Sequence, residues 1–186
     1  MTSEEATAAV IDALLSLDIP YMLVGSLSSN YYGVPRSTQD ADFVVQLHDI
    51  PIGAIAARLG PQFRLEPQLS FELIQATTRY VLRLANIPFH VELFLLGDDE
   101  YDQERFSRRR RVSILGREVY IPTAEDVIVT KLRWSQHGHR IKDRDDVRNV
   151  LAIQSEKLDW NYLERWSSLH GTKELLDDIL KSLPKI

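Results

Sequence analysis

The sequence contains no cysteine. That excludes a disulfide framework, a thiolate-ligated zinc site, an iron–sulfur cluster and a thiol nucleophile. No stretch approaches the roughly 18 consecutive apolar residues of a membrane-spanning helix. The N-terminal segment MTSEEATAAVIDALLSLDIP lacks the basic start of a secretory leader and carries acid instead. A cytoplasmic protein with no membrane partner is the expectation. Base is also scarce relative to acid, 22 Lys and Arg against 27 Asp and Glu, for a net charge of −5. That balance argues against a protein that coats nucleic acid, although local patches can hide within it. The composition, 44% hydrophobic and 26% charged, is that of an ordinary globular chain. At 186 residues it fits one core, or a core with a small lobe, and can bury that core without staples.

What is present reads as alternating elements. Thr2 and Glu5 have capping-box spacing. Ala6, Val10, Ile11, Leu14 and Leu15 follow at helical period, and Pro20 bars continuation. The run 21–24 is a short buried strand, closed by Gly25 and Ser26, and 27–32 forms a brief helix. A second strand covers 42–47, starting at or just before Asp40, and an Ala-rich helix covers 52–59. Residues 77–84 and 89–96 pair through a turn at 85–88. The polar stretch 98–110 is helical, and 112–115 and 118–121 make a second hairpin about Gly116-Arg117. Pro122 and Thr123 open a strong helix, with Thr123 as N-cap and Glu125 and Asp126 in its first turn. Helices over 143–154, 159–169 and 172–183 complete the chain. The expected fold class is α/β (α+β), a small mixed sheet flanked by helices with a helical C-terminal lobe. The boundary falls between 1–121 and 122–186.

The informative chemistry lies in Val24-Gly25-Ser26 followed by Asp40-Ala41-Asp42. Residues two apart on a strand share a face, so Asp40 and Asp42 point together, away from Ala41 and Phe43. Like charges so placed cost energy without compensation. A hard divalent cation, Mg²⁺ or Mn²⁺, is the usual compensation for paired carboxylates. Glu92 stands alone as an acid in the apolar run Val91-Glu92-Leu93-Phe94, on the face opposite Val91 and Leu93. An unpaired buried Glu is costly, so a metal gives it a reason to be there. Gly25 lets backbone approach a ligand, the following helix N-terminus offers N–H groups to phosphate, and Ser26 adds a hydroxyl. Arg36 can reach the same anion.

This arrangement, Gly-Ser and then Asp-x-Asp about a dozen residues on, resembles the nucleotidyltransferase superfamily with the polymerase-beta-like fold. Glu92 matches its third carboxylate. The segment from Lys131 through Arg140 to Asp143, Asp145 and Asp146 is similar to the AbiEii-like branch, which includes toxins of toxin–antitoxin systems. The likeness spans roughly residues 20–150. It implies transfer of a nucleoside monophosphate from a nucleoside triphosphate to an acceptor hydroxyl. It implies Asp40, Asp42 and Glu92 as metal ligands and catalytic groups. Gly25, Ser26, Arg36, Lys131, Arg140 and Asp143 become nucleotide-binding residues, Lys131 also catalytic. The later aspartate stays open between Asp143, Asp145 and Asp146. An antitoxin protein is the partner that the branch implies.

The rest is less specific. Arg105 and Arg108 to Arg111, with Arg117, put six bases in a short window against one acid, Glu104. Such a run is ordinarily a solvated helix face; here it also suits a polyanionic acceptor such as RNA, or an acidic protein surface. His137 and His139 lack a third zinc ligand and read as a loop. His90 shares the face of Glu92. Tyr31, Tyr32, Trp134, Trp160 and Trp166 read as packing residues. Three functional classes follow: a toxin-like enzyme acting on RNA or protein, a small-molecule nucleotidyltransferase such as one that modifies an antibiotic, and a non-catalytic module on the same fold.

Overall fold

A computed structural model describes residues 1–74, 76–138 and 141–183. The elements run α1 (Ser3–Ser16), β1 (Tyr21–Val24), α2 (Gly25–Tyr32), β2 (Asp40–Val45), α3 (Ile52–Leu59), β3 (Phe63–Leu65), β4 (Ser70–Glu72), β5 (Thr77–Leu84) and β6 (His90–Leu95). They continue as α4 (Glu100–Ser107), β7 (Arg110–Ile114), β8 (Arg117–Ile121), α5 (Ala124–Gly138), α6 (Ile141–Gln154), α7 (Trp160–Leu169) and α8 (Lys173–Lys181). The capping box of α1 is present, Thr2 Oγ1 accepting from the Glu5 amide and Glu5 accepting from the Thr2 amide.

The main sheet has the order β1-β2-β6-β5-β3, with β4 also on β5. Every pairing is antiparallel except β2 with β6, which run parallel. The sheet has two unlike faces. Ala41, Phe43, Val45, Val91 and Leu93 enter the large apolar cluster, joined by residues of α1, α3 and the C-terminal helices. That cluster draws on both sides of Pro122, with Val127, Ile128 and Leu132 of α5 and Val147, Val150 and Leu151 of α6 fully buried. The opposite face carries a smaller cluster of Met22, Val44, Phe94 and Phe106, flanked by Trp134. The period-2 alternation of β2 and β6 thus divides core from cleft.

Several expectations shift. The short strands β3 and β4 were not anticipated; at three residues each they carry too little pattern to stand out. The polar helix ends at Ser107, so Arg110 and Arg111 lie on β7 instead. The second hairpin turns on Leu115 and Gly116, both at positive φ (54° and 69°), one residue earlier than the predicted Gly116-Arg117 turn. Two left-handed residues fit a tight hairpin, and the glycine relieves the second. Helix α6 begins at Ile141, which puts Asp143 inside its first turn and not at its cap.

Candidate active site

The cleft face is built by register. Asp42 pairs with Val24 on one side and with Glu92 on the other, and Asp40 lies opposite His90. Asp42 therefore lies in register with Glu92 across a parallel pair, with Asp40 two residues along the same strand. Thr38 Oγ1 donates a short hydrogen bond to Asp40 Oδ1. Asp42 leans over the end of β1. A Cβ placed on Gly25 would stand 1.9 Å from Asp42 Oδ2, and Gly25 has φ +64°. Only glycine accepts both that conformation and that contact. From Gly25 the chain enters α2 directly, with no side chain capping its N-terminus. The helix thus opens beside Asp42.

Arg36 reaches the same place from the loop after α2. Asn30 fixes that loop, donating to the Arg36 carbonyl at 2.7 Å and accepting from its amide at 3.0 Å. Arg36 Nη2 donates to Ser26 Oγ at 2.9 Å. Its Nε and Nη2 each donate to Asp146 at 2.9 Å, a bidentate pair. Lys131 Nζ lies 2.7 Å from Asp143 Oδ1 and 3.0 Å from Asp146 Oδ2. Asp143 and Asp146 are 1% and 3% exposed, one helical turn apart on α6. Burial alone would push the Asp146 carboxyl up, but the Arg36 hydrogen bond and the Lys131 charge hold it below the usual range. The Asp146 contact in turn raises Arg36. So the structure brings Arg36, Ser26, Lys131 and Asp143 together and adds Asp146 as the link between them. Asp145 is exposed on the other side of α6, and Arg140 lies outside the described residues, as does His139.

At the other end of the carboxylate row stands a residue that the sequence did not single out. Arg79 of β5 donates from Nη1 to both oxygens of Glu92, at 3.1 and 3.2 Å. Ser70 of β4 holds Arg79 by its Nε at 3.0 Å. His90 Nε2 lies 3.5 Å from the same carboxylate. Among the described residues, no group of three or more His, Asp or Glu side chains stands ready as a cation cage. Asp40 and Asp42, two hard oxygen donors on one strand face beside a glycine cradle, still suit Mg²⁺ or Mn²⁺, which often take only one or two carboxylates.

The arginine run is only in part a solvated face, with Arg110 and Arg111 exposed on β7. Arg105 is 2% exposed and pairs with Asp102 at 2.7 Å. Arg108 stacks 3.8 Å over Tyr162 and lies 3.4 Å from Asp126. Arg109 packs on Phe106, and Arg111 pairs with Glu118 at 3.1 Å. Arg105 and Arg108 are thus engaged within the fold, whereas Arg110 and Arg111 stay exposed. No described helix is long and apolar enough to cross a membrane.

No protein-family model matches the sequence, and no curated protein matches it. Solved structures do. One is ANT(2'')-Ia in complex with adenylyl-2''-tobramycin, at TM-score 0.65 and 14% identity, covering 94% of this chain and 99% of that one. The chain has the nucleotidyltransferase fold. It is also similar to a nucleotidyltransferase-like protein from Paracoccidioides brasiliensis, at TM-score 0.53 and 20% identity, covering 100% of this chain and 95% of that one. A third is the lincosamide antibiotic adenylyltransferase LnuA with lincomycin bound, at TM-score 0.52 and 10% identity, covering 80% of this chain and 96% of that one.

Proposed function

We propose that this chain is a divalent-metal-dependent nucleotidyltransferase that moves a nucleoside monophosphate from a nucleoside triphosphate to an acceptor hydroxyl. One observation carries it: Asp42 lies in register with Glu92, with Asp40 two residues away on β2, beside the helix start at Gly25 and Ser26. Asp40, Asp42 and Glu92 would hold the metal, and Arg79 now donates to both oxygens of Glu92. A bound Mg²⁺ or Mn²⁺ would supply Lewis-acid stabilisation to the reacting phosphate oxygens. The α2 amides, the Ser26 hydroxyl and Arg36 bind the leaving phosphates. Lys131 offsets triphosphate charge, with Asp143 and Asp146 fixing its ammonium. The acceptor oxygen attacks the α-phosphorus, the α–β anhydride bond breaks, and pyrophosphate departs with the bonding pair. Glu92 stands on the acceptor side and favours loss of the hydroxyl proton to solvent. Positioning and preorganised charge supply most of the rate. In this reading 1–121 is the catalytic core, and 122–186 is the helical lobe that contributes Lys131, Asp143 and Asp146.

For the acceptor we favour a small molecule. Two of the arginines that suggested RNA, Arg105 and Arg108, are tied into the fold, and two structural neighbours are ANT(2'')-Ia with adenylyl-2''-tobramycin and a lincosamide antibiotic adenylyltransferase. The toxin-like reading, with an RNA or protein acceptor and an antitoxin, is the second. Incubation with labelled nucleoside triphosphates, Mg²⁺ and a panel of aminoglycoside, lincosamide, tRNA and protein acceptors separates the two. Labelling that survives Asp42→Ala would sink the catalytic assignment.

A further inference from the structure

The sheet face that carries Asp40, Asp42 and Glu92 extends beyond β6. His90 lies opposite Asp40 of β2 on one side and opposite Arg83 of β5 on the other. Arg83 in turn lies opposite Arg64 of β3. Directly opposed residues share a face of a sheet. Asp40, His90, Arg83 and Arg64 therefore make one row across β2, β6, β5 and β3. Neighbouring strands lie about 4.8 Å apart, so Arg83 stands roughly 10 Å and Arg64 roughly 14 Å from Asp40, backbone to backbone.

Two arginines opposite each other on a sheet repel, and the fold gains nothing from that alone. One carboxylate answers them, Glu66, which pairs with Arg83. Arg64 has no carboxylate partner among the described residues. Both arginines are exposed, Arg83 with 62% of its side chain in solvent. A charge on an edge strand guards against stray pairing, which accounts for Arg64, because β3 ends the sheet. It does not account for Arg83, which has a strand on either side. Two adjacent guanidinium forks on an open face make a seat for an oxyanion. The seat is small. Glu66 and Glu92 flank the row, and Asp40 closes its inner end. A polyanion laid along it would meet these carboxylates, whereas a single phosphate group between Arg64 and Arg83 does not.

We propose that Arg64 and Arg83 bind a phosphate group carried by a small acceptor, whose hydroxyl is thereby placed at Asp40 and Asp42. This rests on the nucleotidyl transfer proposed above. The row sets the length of the acceptor, with hydroxyl and phosphate on the order of 10 Å apart. It also sets the sign of its charge. A polycationic acceptor is repelled from the outer half of this face, and an anionic one is drawn along it towards the carboxylates.

The test follows the arginine side chains by nuclear magnetic resonance. The nitrogen-labelled full chain is held in Mg²⁺ with a saturating non-hydrolysable nucleoside triphosphate, and inorganic phosphate is titrated in at constant ionic strength. The Nε–Hε signals of Arg64 and Arg83, assigned from Arg64→Gln and Arg83→Gln, should shift saturably with phosphate and not with chloride. Each substitution should weaken phosphate binding at least about tenfold. Both variants should keep their triphosphate affinity within about twofold, since the two sites are well separated. Equal shifts with phosphate and chloride, or parental phosphate affinity in both variants, overturn the proposal and leave transfer standing. So does efficient labelling of an unphosphorylated aminoglycoside that Arg83→Gln leaves unchanged. A short RNA that binds far more tightly than phosphate through the same arginines overturns the small acceptor in favour of a polyanion. No binding of any triphosphate overturns the transfer reading, and the acceptor role with it.

Discussion

Asp146 grips Arg36 side-on, with both carboxylate oxygens accepting from the guanidinium at 2.9 Å. The two residues lie 110 positions apart in the chain. The same carboxylate stands 3.0 Å from Lys131, so one buried acid aims two cations at the candidate triphosphate site. Its pairing with planar guanidinium is geometrically specific in a way that a lysine contact is not.

Asp146→Asn should weaken nucleoside triphosphate binding about tenfold or more, because both cations lose their shared anchor. Stability should fall by about 1–3 kcal/mol, less than for a fully enclosed pair, since Asp143 still holds Lys131 and Arg36 is partly solvated. Calorimetry and urea melts read the two effects separately. Unchanged affinity in a folded variant would remove Asp146 from the site.

Gly25→Ala should abolish activity. The new methyl would collide with the Asp42 carboxylate, and the left-handed backbone alone costs about 1–2 kcal/mol for a residue bearing a Cβ. A steady-state assay beside a thermal melt checks this. Activity within tenfold of the parent would show that Asp42 can move aside without consequence.

Arg79→Met should raise affinity for Mn²⁺ several-fold, as read by paramagnetic resonance titration. The reason is competition: Arg79 now occupies both oxygens of Glu92. A fall in Mn²⁺ affinity would instead mark Arg79 as the group that orders Glu92 for the metal.

Acid should destabilise the protein through His170. Burial first, then the nearby Arg133 charge, lower its pKa from 6.5 to about 4. The unfolded chain binds a proton on this side chain below about pH 6.5 while the folded chain does not until about pH 4. Stability therefore declines as pH falls through that window, by no more than about 3 kcal/mol and by less where solvent screens the ring. His170→Gln should flatten the melting temperature between pH 6.5 and 4 relative to the parent. An unaltered slope would assign the acid sensitivity to carboxylates.

Much of the cleft was legible because its signals are local and periodic. Asp40 and Asp42 share a face by strand period alone, and Gly25-Ser26 sits at a strand-to-helix junction that composition marks. Glu92 stood out as an acid among apolar neighbours. Arg79 did not, since a basic residue on a half-exposed strand has no pattern; its meaning comes from β5 lying antiparallel beside β6. Asp146 was one of three aspartates left open for the later acid, and only the packing of α6 against α2 and α5 buries it. The arginine run was legible only in part, for the converse reason. Charge counted along the chain said nothing of Asp102, Asp126 and Tyr162, which fold back onto it.

The lone parallel pairing, β2 with β6, sets when the site can exist. A parallel neighbour cannot be reached by a tight hairpin, so the whole crossover from β2 through β5 has to be in place before Glu92 lies beside Asp42. The Arg36 anchor arrives later still, with α6. Closures of such long sequence separation come late and slowly. A growing or partly folded chain therefore holds its acids apart. The proposed activity would then need the nearly finished molecule and not a fragment of it.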